Sequence, residues 1–250
     1  MEPGAEPLRK YLCSHNPFDL SVSQKLFIFG EIQKERDMPT TEYGKRFIEV
    51  YQQNIHREGA EELLSWLMGK TAAESGNLFQ GSELSAKASD FFKAPASTRF
   101  HLDCEGGLVR HSLNVWKELK RLCEAYKDVV QVTEETVAIC ALLHDVCKVN
   151  SYSISWRNVK NEATGVWEKK PYYTKNELFN YGGHGAKSVY LIQKYMQLRD
   201  EEAVAIQNHM GLYNKPSNDF SLAAAFSQYP LAWLLHVADE AATYIDEKEQ

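Results

Sequence analysis

The sequence predicts an all-α domain interrupted by one small β-hairpin. Apolar residues return at three- and four-residue intervals along most of the chain, and one stretch near 152–173 alternates instead. The content of hydrophobic residues, 44% of 250, is enough to bury a substantial core. Residues 1–20, with Pro3, Gly4, Pro7 and Pro17, lack periodic spacing and are expected to form a mobile tail. Residues 21–36 and 43–70 show helical intervals, the second through Phe47, Val50, Tyr51, Leu63, Leu64 and Leu67, and read as scaffold helices. Residues 71–89 are rich in Gly, Ser and Ala and read as a loop, so 21–89 form a helical scaffold with its loop. The remaining 90–250 form the functional domain, opening where Phe91-Phe92-Lys93-Ala94-Pro95 re-enters the core. Helices are predicted over 107–125, 134–149, 183–197, 200–209 and 230–245. Between the second and third, Tyr152, Ile154 and Trp156 alternate with polar residues. Ala163-Thr164-Gly165 then marks a turn, and Val166-Trp167 and Tyr172-Tyr173 form the return strand.

Composition narrows the function classes. No run reaches the roughly 18 to 20 apolar residues needed to cross a bilayer, and residues 1–10 hold no apolar stretch of the signal-peptide kind. The expected location is cytoplasmic, with no membrane partner. Cys13, Cys104, Cys123, Cys140 and Cys147 are odd in number, contain no C-x-x-C pair and read as reduced thiols. A net charge of −6 argues against a general nucleic-acid binder, since phosphate-backbone affinity comes from clustered Lys and Arg. No repeat or low-complexity tract is present.

Six of the eight histidines fall between 101 and 236, most where a helical pattern would place an apolar residue. The sharpest element is Ala141-Leu142-Leu143-His144-Asp145-Val146-Cys147-Lys148, an adjacent His and Asp inside an apolar helix pattern. A buried carboxylate is costly unless a cation or hydrogen bonds compensate, and a divalent metal compensates efficiently. Taken alone, the pair has a simpler reading as a core histidine and a helix cap. His111, in Gly106-Gly107-Leu108-Val109-Arg110-His111-Ser112, and Asp239, in Leu234-Leu235-His236-Val237-Ala238-Asp239, repeat the same pattern and shift the balance toward a metal.

The succession His111, His144-Asp145, Asp239 resembles the HD superfamily of metal-dependent phosphohydrolases. Its surroundings agree, with Gly-Gly-Leu-x-x-His-Ser-Leu before the first ligand and Leu-Leu-His-Asp-x-x-Lys around the doublet. The likeness covers about 90–245 and implies an HD helical bundle with the hairpin inserted after the His-Asp helix. Phe92 to Ser97, His101 and Gly106-Gly107-Leu108 look most like a bacterial and phage branch that includes the HD domain of a 3′→5′ exoribonuclease. No counterpart of that enzyme's OB-type module is expected within these residues, so its substrate class is not carried over.

The resemblance implies one metal held by His111, His144, Asp145 and Asp239. His184 and His209 fall between the doublet and the last aspartate, where two-metal HD proteins carry extra histidines, and Asp145 would then bridge both ions. Alternatively, His184 and His209 contact substrate or cap helices. Imidazole and carboxylate donors suit one or two Mn, Fe, Co, Ni or Zn ions, and no cysteine is a candidate ligand. The implied reaction is hydrolysis of a phosphomonoester or phosphodiester, on a nucleotide, by a metal-bound hydroxide oriented by Asp145. Lys148, on the doublet's face if the helix continues, is a catalytic or phosphate-contacting candidate, or else a solvated lysine. His101, Arg110, Lys187 and His236 are further substrate candidates. The hairpin mixes Trp156, Arg157, Lys169, Lys170, Tyr172 and Tyr173, a combination able to stack a base and hold a phosphate, or simply a solvated surface. The competing functions are an exonuclease on short single-stranded nucleic acid and a non-catalytic nucleotide binder.

Overall fold

The computed structural model describes residues 41–71, 74–75, 87–176, 179, 181–213 and 220–248. The expectations for 1–20 and 21–36, and for most of the 71–89 loop, lie outside these residues. In chain order the elements are α1 (Glu42–Asn54), α2 (Ala60–Leu67), α3 (Gly107–Ala125), α4 (Glu134–Leu143), β1 (Tyr152–Lys160), β2 (Trp167–Lys175), α5 (His184–Ile192), α6 (Asp200–Asn208), α7 (Ser221–Gln228) and α8 (Pro230–Ala241). This is the predicted helical bundle with one hairpin.

The centre of the bundle is α4. Every residue from Thr136 to Leu143 is buried, the signature of a helix that is apolar all round and must be covered on all sides. Thr133 caps its N-terminus by accepting from the Thr136 N–H, and Glu134 and Glu135 sit in the first turn, where the helix dipole favours negative charge. The covering helices are α1, α3 and α6, and α8 packs across α3 and α6. One continuous core joins Phe47, Leu63 and Leu67 to Leu108, Leu142, Ile206 and Leu235. Each such side chain contributes roughly 1.5–3 kcal/mol on burial.

Four helix boundaries differ from the sequence expectation. The 43–70 stretch is two helices, broken at 55–59. Gly59 has φ 86° there, and a Cβ on it would lie 1.8 Å from the Tyr195 carbonyl oxygen. At the break a polar network takes over from helical hydrogen bonding: Arg57 pairs with Glu202 at 2.7 Å and Glu135 at 3.1 Å, and Glu135 accepts from the His56 N–H at 2.9 Å. The 134–149 helix ends at Leu143, and Val146–Lys148 form a 3₁₀ turn. Helix α5 stops at Ile192, after which the chain tightens, with Tyr195 N–H donating to Ile192 O at 2.9 Å. The last helix keeps α geometry only to Ala241, then widens into a π turn, Ala242–Asp246. Helix α7 lies outside the sequence expectation; Leu222 is its one buried residue, and Phe226, one turn further, packs against the core and stacks on His236.

The hairpin is antiparallel, with Tyr152 opposite Lys175, Ser155 opposite Tyr172 and Trp156 opposite Pro171. Residues 161–166 make the connection, as Ala163-Thr164-Gly165 predicts, closed by an Asn161 N–H to Val166 O bond of 2.8 Å. Side chains alternate between faces, so Arg157, Lys170 and Tyr172 share one face, and Trp156 and Tyr173 share the other.

Candidate metal centre

The His-Asp doublet sits at the end of a helix. His144 is the C-cap of α4, where the last four carbonyls lack intrahelical partners. One of them, Ala141 O, receives the His144 Nδ1–H at 2.8 Å. The same device recurs at α6, whose C-cap His209 places Nδ1 2.7 Å from Ile206 O. Because a carbonyl only accepts, each Nδ1 carries the proton and each Nε2 keeps its lone pair. Both rings thus present acceptors to a common centre. Both helices also direct their C-terminal ends there, and the negative end of the dipole favours a cation.

His111 and Asp239 complete the approach from α3 and α8. His111 occupies the core stripe of α3 with Leu108, Ser112 and Val115 and is buried. Its Nδ1 lies 3.0 Å from Glu247 Oε1, and its Nε2 faces Asp239 Oδ1 at 3.1 Å and His144 Nε2 at 3.3 Å. Burial lowers the His111 pKa, but the Asp239 and Glu247 carboxylates outweigh burial and raise it to about 9. Burial opposes ionisation of Asp239 as well, and His111 nevertheless holds that carboxyl well below the usual range.

Asp145 stands between two donor groups. Its Oδ2 lies 3.4 Å from His144 Nε2 and 3.7 Å from His111 Nε2, and its Oδ1 lies 3.5 Å from His209 Nε2. Asp145, Cys147 and His184 also bring one candidate ligand atom each within 4.8 Å of one another. Lys148 donates to Oδ2 at 2.6 Å with its side chain only 11% exposed, so it is not a solvated lysine. The 3₁₀ turn delivers this contact, since the α-helix on which the sequence argument relied has already ended. Burial works against the charge on Asp145, but Lys148 and His144 hold its pKa well below the usual range. Burial and Asp145 push the Cys147 thiol up to about 12, and its Sγ donates to Asp145 Oδ1 at 3.7 Å. Cys147, set aside from composition, is therefore a neighbour of the centre.

These residues fit a divalent cation. His209 Nε2 and His184 Nδ1 are buried and have no hydrogen-bond partner. Unsatisfied buried polar atoms are costly, and a cation held by either nitrogen would satisfy it. Close helix packing sets this spacing. A Cβ on Gly185 would lie 2.2 Å from the Gln207 carbonyl oxygen, so only glycine lets α5 approach α6 here. Gly185→Ala is expected to push His184 away from Asp145 and weaken metal binding without removing a ligand. Titration calorimetry with Mn²⁺ checks this, and unchanged affinity would contradict it.

The remaining sequence candidates divide. His101 joins the centre through Glu247, its Nδ1 lying 2.5 Å from Oε2. His236 braces it from behind, its Nδ1 2.7 Å from His209 O. Lys187 is buried and donates to Ser151 Oγ at 3.2 Å. Arg110 turns away and lies over the Tyr43 ring. Arg157 lies over Tyr172, and both line a groove of about 660 Å³ with Arg99, Phe100 and Lys175. Trp156 is absent from that groove and is 62% exposed. Lys175 also lines a small cleft with Lys148 and His184, which links the groove to the centre. Glu247 escaped sequence reading. At about 100° per residue, eight positions put it roughly 80° from Asp239 on an ideal helix, and the π turn changes that angle.

The HD domain family matches residues 108–243, more than half of the chain. The chain belongs to the HD family. The match contains His111, His144, Asp145, His184, His209 and Asp239, and Glu247 lies beyond its end. Over 110 residues this HD protein is 27% identical to dihydroneopterin 2',3'-cyclic phosphate phosphodiesterase of Methanocaldococcus jannaschii, covering 43% of the chain and 41% of that relative. The chain thus spans less than half of the relative's length. No solved structure matches it. Among the described residues, no helix is long and apolar enough to cross a membrane.

Proposed function

We propose that this HD protein is a metal-dependent phosphohydrolase acting on a phosphomonoester or phosphodiester of a nucleotide. His111, His144, Asp145 and Asp239 would hold one divalent ion, and His184 and His209 with Asp145 a second. The observation carrying this is that Asp145 Oδ2 faces His144 Nε2 and His111 Nε2 at 3.4 and 3.7 Å, Oδ1 faces His209 Nε2 at 3.5 Å, and His184 offers a further donor close to the same carboxylate. Mn, Fe, Co, Ni and Zn all suit the donor set. A bound divalent ion supplies an acidified water and offsets charge on phosphoryl oxygens. Asp145 orients the ligands on both sides. Lys148 holds Asp145 Oδ2 and places a positive charge at the cleft, where it can meet a phosphate oxygen. No side chain is required as a nucleophile.

The groove supports a nucleotide, because Arg157 and Tyr172 offer a cation beside an aromatic face and Lys175 leads toward the centre. The name of the archaeal relative supports a phosphodiester. Residues 90–250 are assigned as the hydrolase unit, with α1 and α2 as scaffold. Tyr172→Ala is expected to raise KM for a nucleotide substrate by about 5- to 150-fold, as loss of roughly 1–3 kcal/mol of stacking predicts. Trp156→Ala, on the opposite face, should leave KM unchanged; the reverse order in steady-state kinetics would reject the groove.

The deciding experiment assays purified protein with Mn²⁺ or Ni²⁺ against mononucleotides, cyclic nucleotides, cyclic dinucleotides, triphosphates and short oligonucleotides. Turnover of a small nucleotide ester supports the proposal. Turnover of oligonucleotides alone favours the exonuclease reading suggested by the Phe92 to Ser97 segment. Metal binding without turnover across the panel favours a nucleotide-binding HD protein.

A further inference from the structure

The three histidines presenting Nε2 to the centre are not anchored alike. His144 and His209 cap helices and use freed backbone carbonyls. His111 lies inside α3, where the carbonyls before it are engaged by the helix and Leu108 O also accepts from Ser112 Oγ at 3.0 Å. His111 therefore needs an acceptor from elsewhere in the chain. Glu247 supplies one. Its Oε1 accepts from His111 Nδ1 at 3.0 Å and Asn114 Nδ2 at 2.9 Å, and its Oε2 accepts from His101 Nδ1 at 2.5 Å. The carboxylate is buried, and the π turn that carries it is closed by Glu247 N–H donating to Ala242 O at 3.0 Å.

We propose that Glu247 is a positioning residue for the metal centre, fixing His111 with its proton on Nδ1 and its Nε2 lone pair toward Asp239 and His144. This rests on His111 being a metal ligand. A carboxylate behind a ligating imidazole orients the ring and raises its basicity, and its loss costs roughly 10- to 100-fold in metal affinity. Through the same carboxylate, His101 is held edge-on to His111, with ring centroids 4.8 Å apart. The alternative is that Glu247 only ties the C-terminal turn to α3. Asp246 already provides such a tie, accepting from Lys117 Nζ at 3.1 Å, and so serves as a control.

The test compares the full chain, Glu247→Gln, Glu247→Ala and Asp246→Asn, each stripped by chelator and titrated with Mn²⁺. The Glu247 variants are expected to bind about 10- to 100-fold more weakly, while Asp246→Asn stays within about twofold of the parent. In zinc-loaded parent protein with ¹⁵N-labelled histidine, His111 should be protonated at Nδ1 and coordinated through Nε2. Glu247→Gln affinity equal to the parent, an equal loss in Asp246→Asn, or His111 coordinated through Nδ1 would each overturn the assignment. The spectrum needs no variant to fold. A parent chain that binds no divalent ion would instead remove the underlying metal reading, a result distinct from parental binding that the variants share.

Discussion

Asp145→Ala is expected to abolish tight divalent-metal binding and metal-dependent hydrolysis. The loss should exceed the roughly 10- to 100-fold effect of removing a group behind a ligand, because on the proposed reading Asp145 would itself be a ligand of both ions. The substitution also leaves the Lys148 ammonium buried beside no anion. Removing one partner of a buried pair costs about 3–5 kcal/mol, so the alanine variant should unfold more readily as well. Asp145→Asn should lower the stability cost, since its carbonyl oxygen can still accept from Lys148, while still removing the charged ligand. Metal affinity by calorimetry and stability by urea unfolding read the two components. An asparagine variant with parental metal affinity would contradict the assignment.

The second large effect lies away from the centre. Arg57→Met is expected to destabilise the protein by about 3–5 kcal/mol, since Glu202 would keep a buried charge without its bidentate partner. The Glu202 side chain is fully buried, and Arg57 meets its two oxygens at 2.7 and 2.9 Å. Thr136 Oγ1 and the Arg199 N–H still donate to it, and the Arg199 guanidinium reaches Thr136 Oγ1 at 3.4 Å, but these do not replace the direct bidentate ion pair. The urea midpoint should fall at unchanged slope, with Mn²⁺ affinity of the folded protein retained. An unchanged midpoint would show that Arg57 is not needed to stabilise Glu202. The double variant Arg57→Met with Glu202→Gln should recover part of the loss, because it removes the buried charge.

Much of the candidate site could be read from residues alone. His111, His144, Asp145 and Asp239 stand out because each interrupts an apolar helical pattern at a position that must be buried. His184 and His209 stand out only once a metal is suspected, since each occupies a helix end where a histidine is unremarked. Periodicity could not show that the doublet ends its helix. Val137 to Leu143 are apolar without a break and Val146, Cys147 and Val149 continue the run, so the change from α to 3₁₀ geometry at Asp145 leaves no mark on composition. Glu247 was hidden for a similar reason, because a π turn defeats an argument built on 3.6 residues per turn. In the hairpin, alternation revealed the strands, but the pairing register was needed to put Trp156 and Tyr172 on opposite faces. Tyr229-Pro230 marks the start of α8, whereas α7 just before it is two turns long and offers only the pair Leu222 and Phe226.

Metal stoichiometry of the chelator-stripped chain tests the central claim most directly. Titration with Mn²⁺, followed by electron paramagnetic resonance, should saturate at two ions per chain, with a magnetically coupled signal from ions sharing Asp145. Saturation at one ion, or no saturable binding, would contradict a two-metal centre.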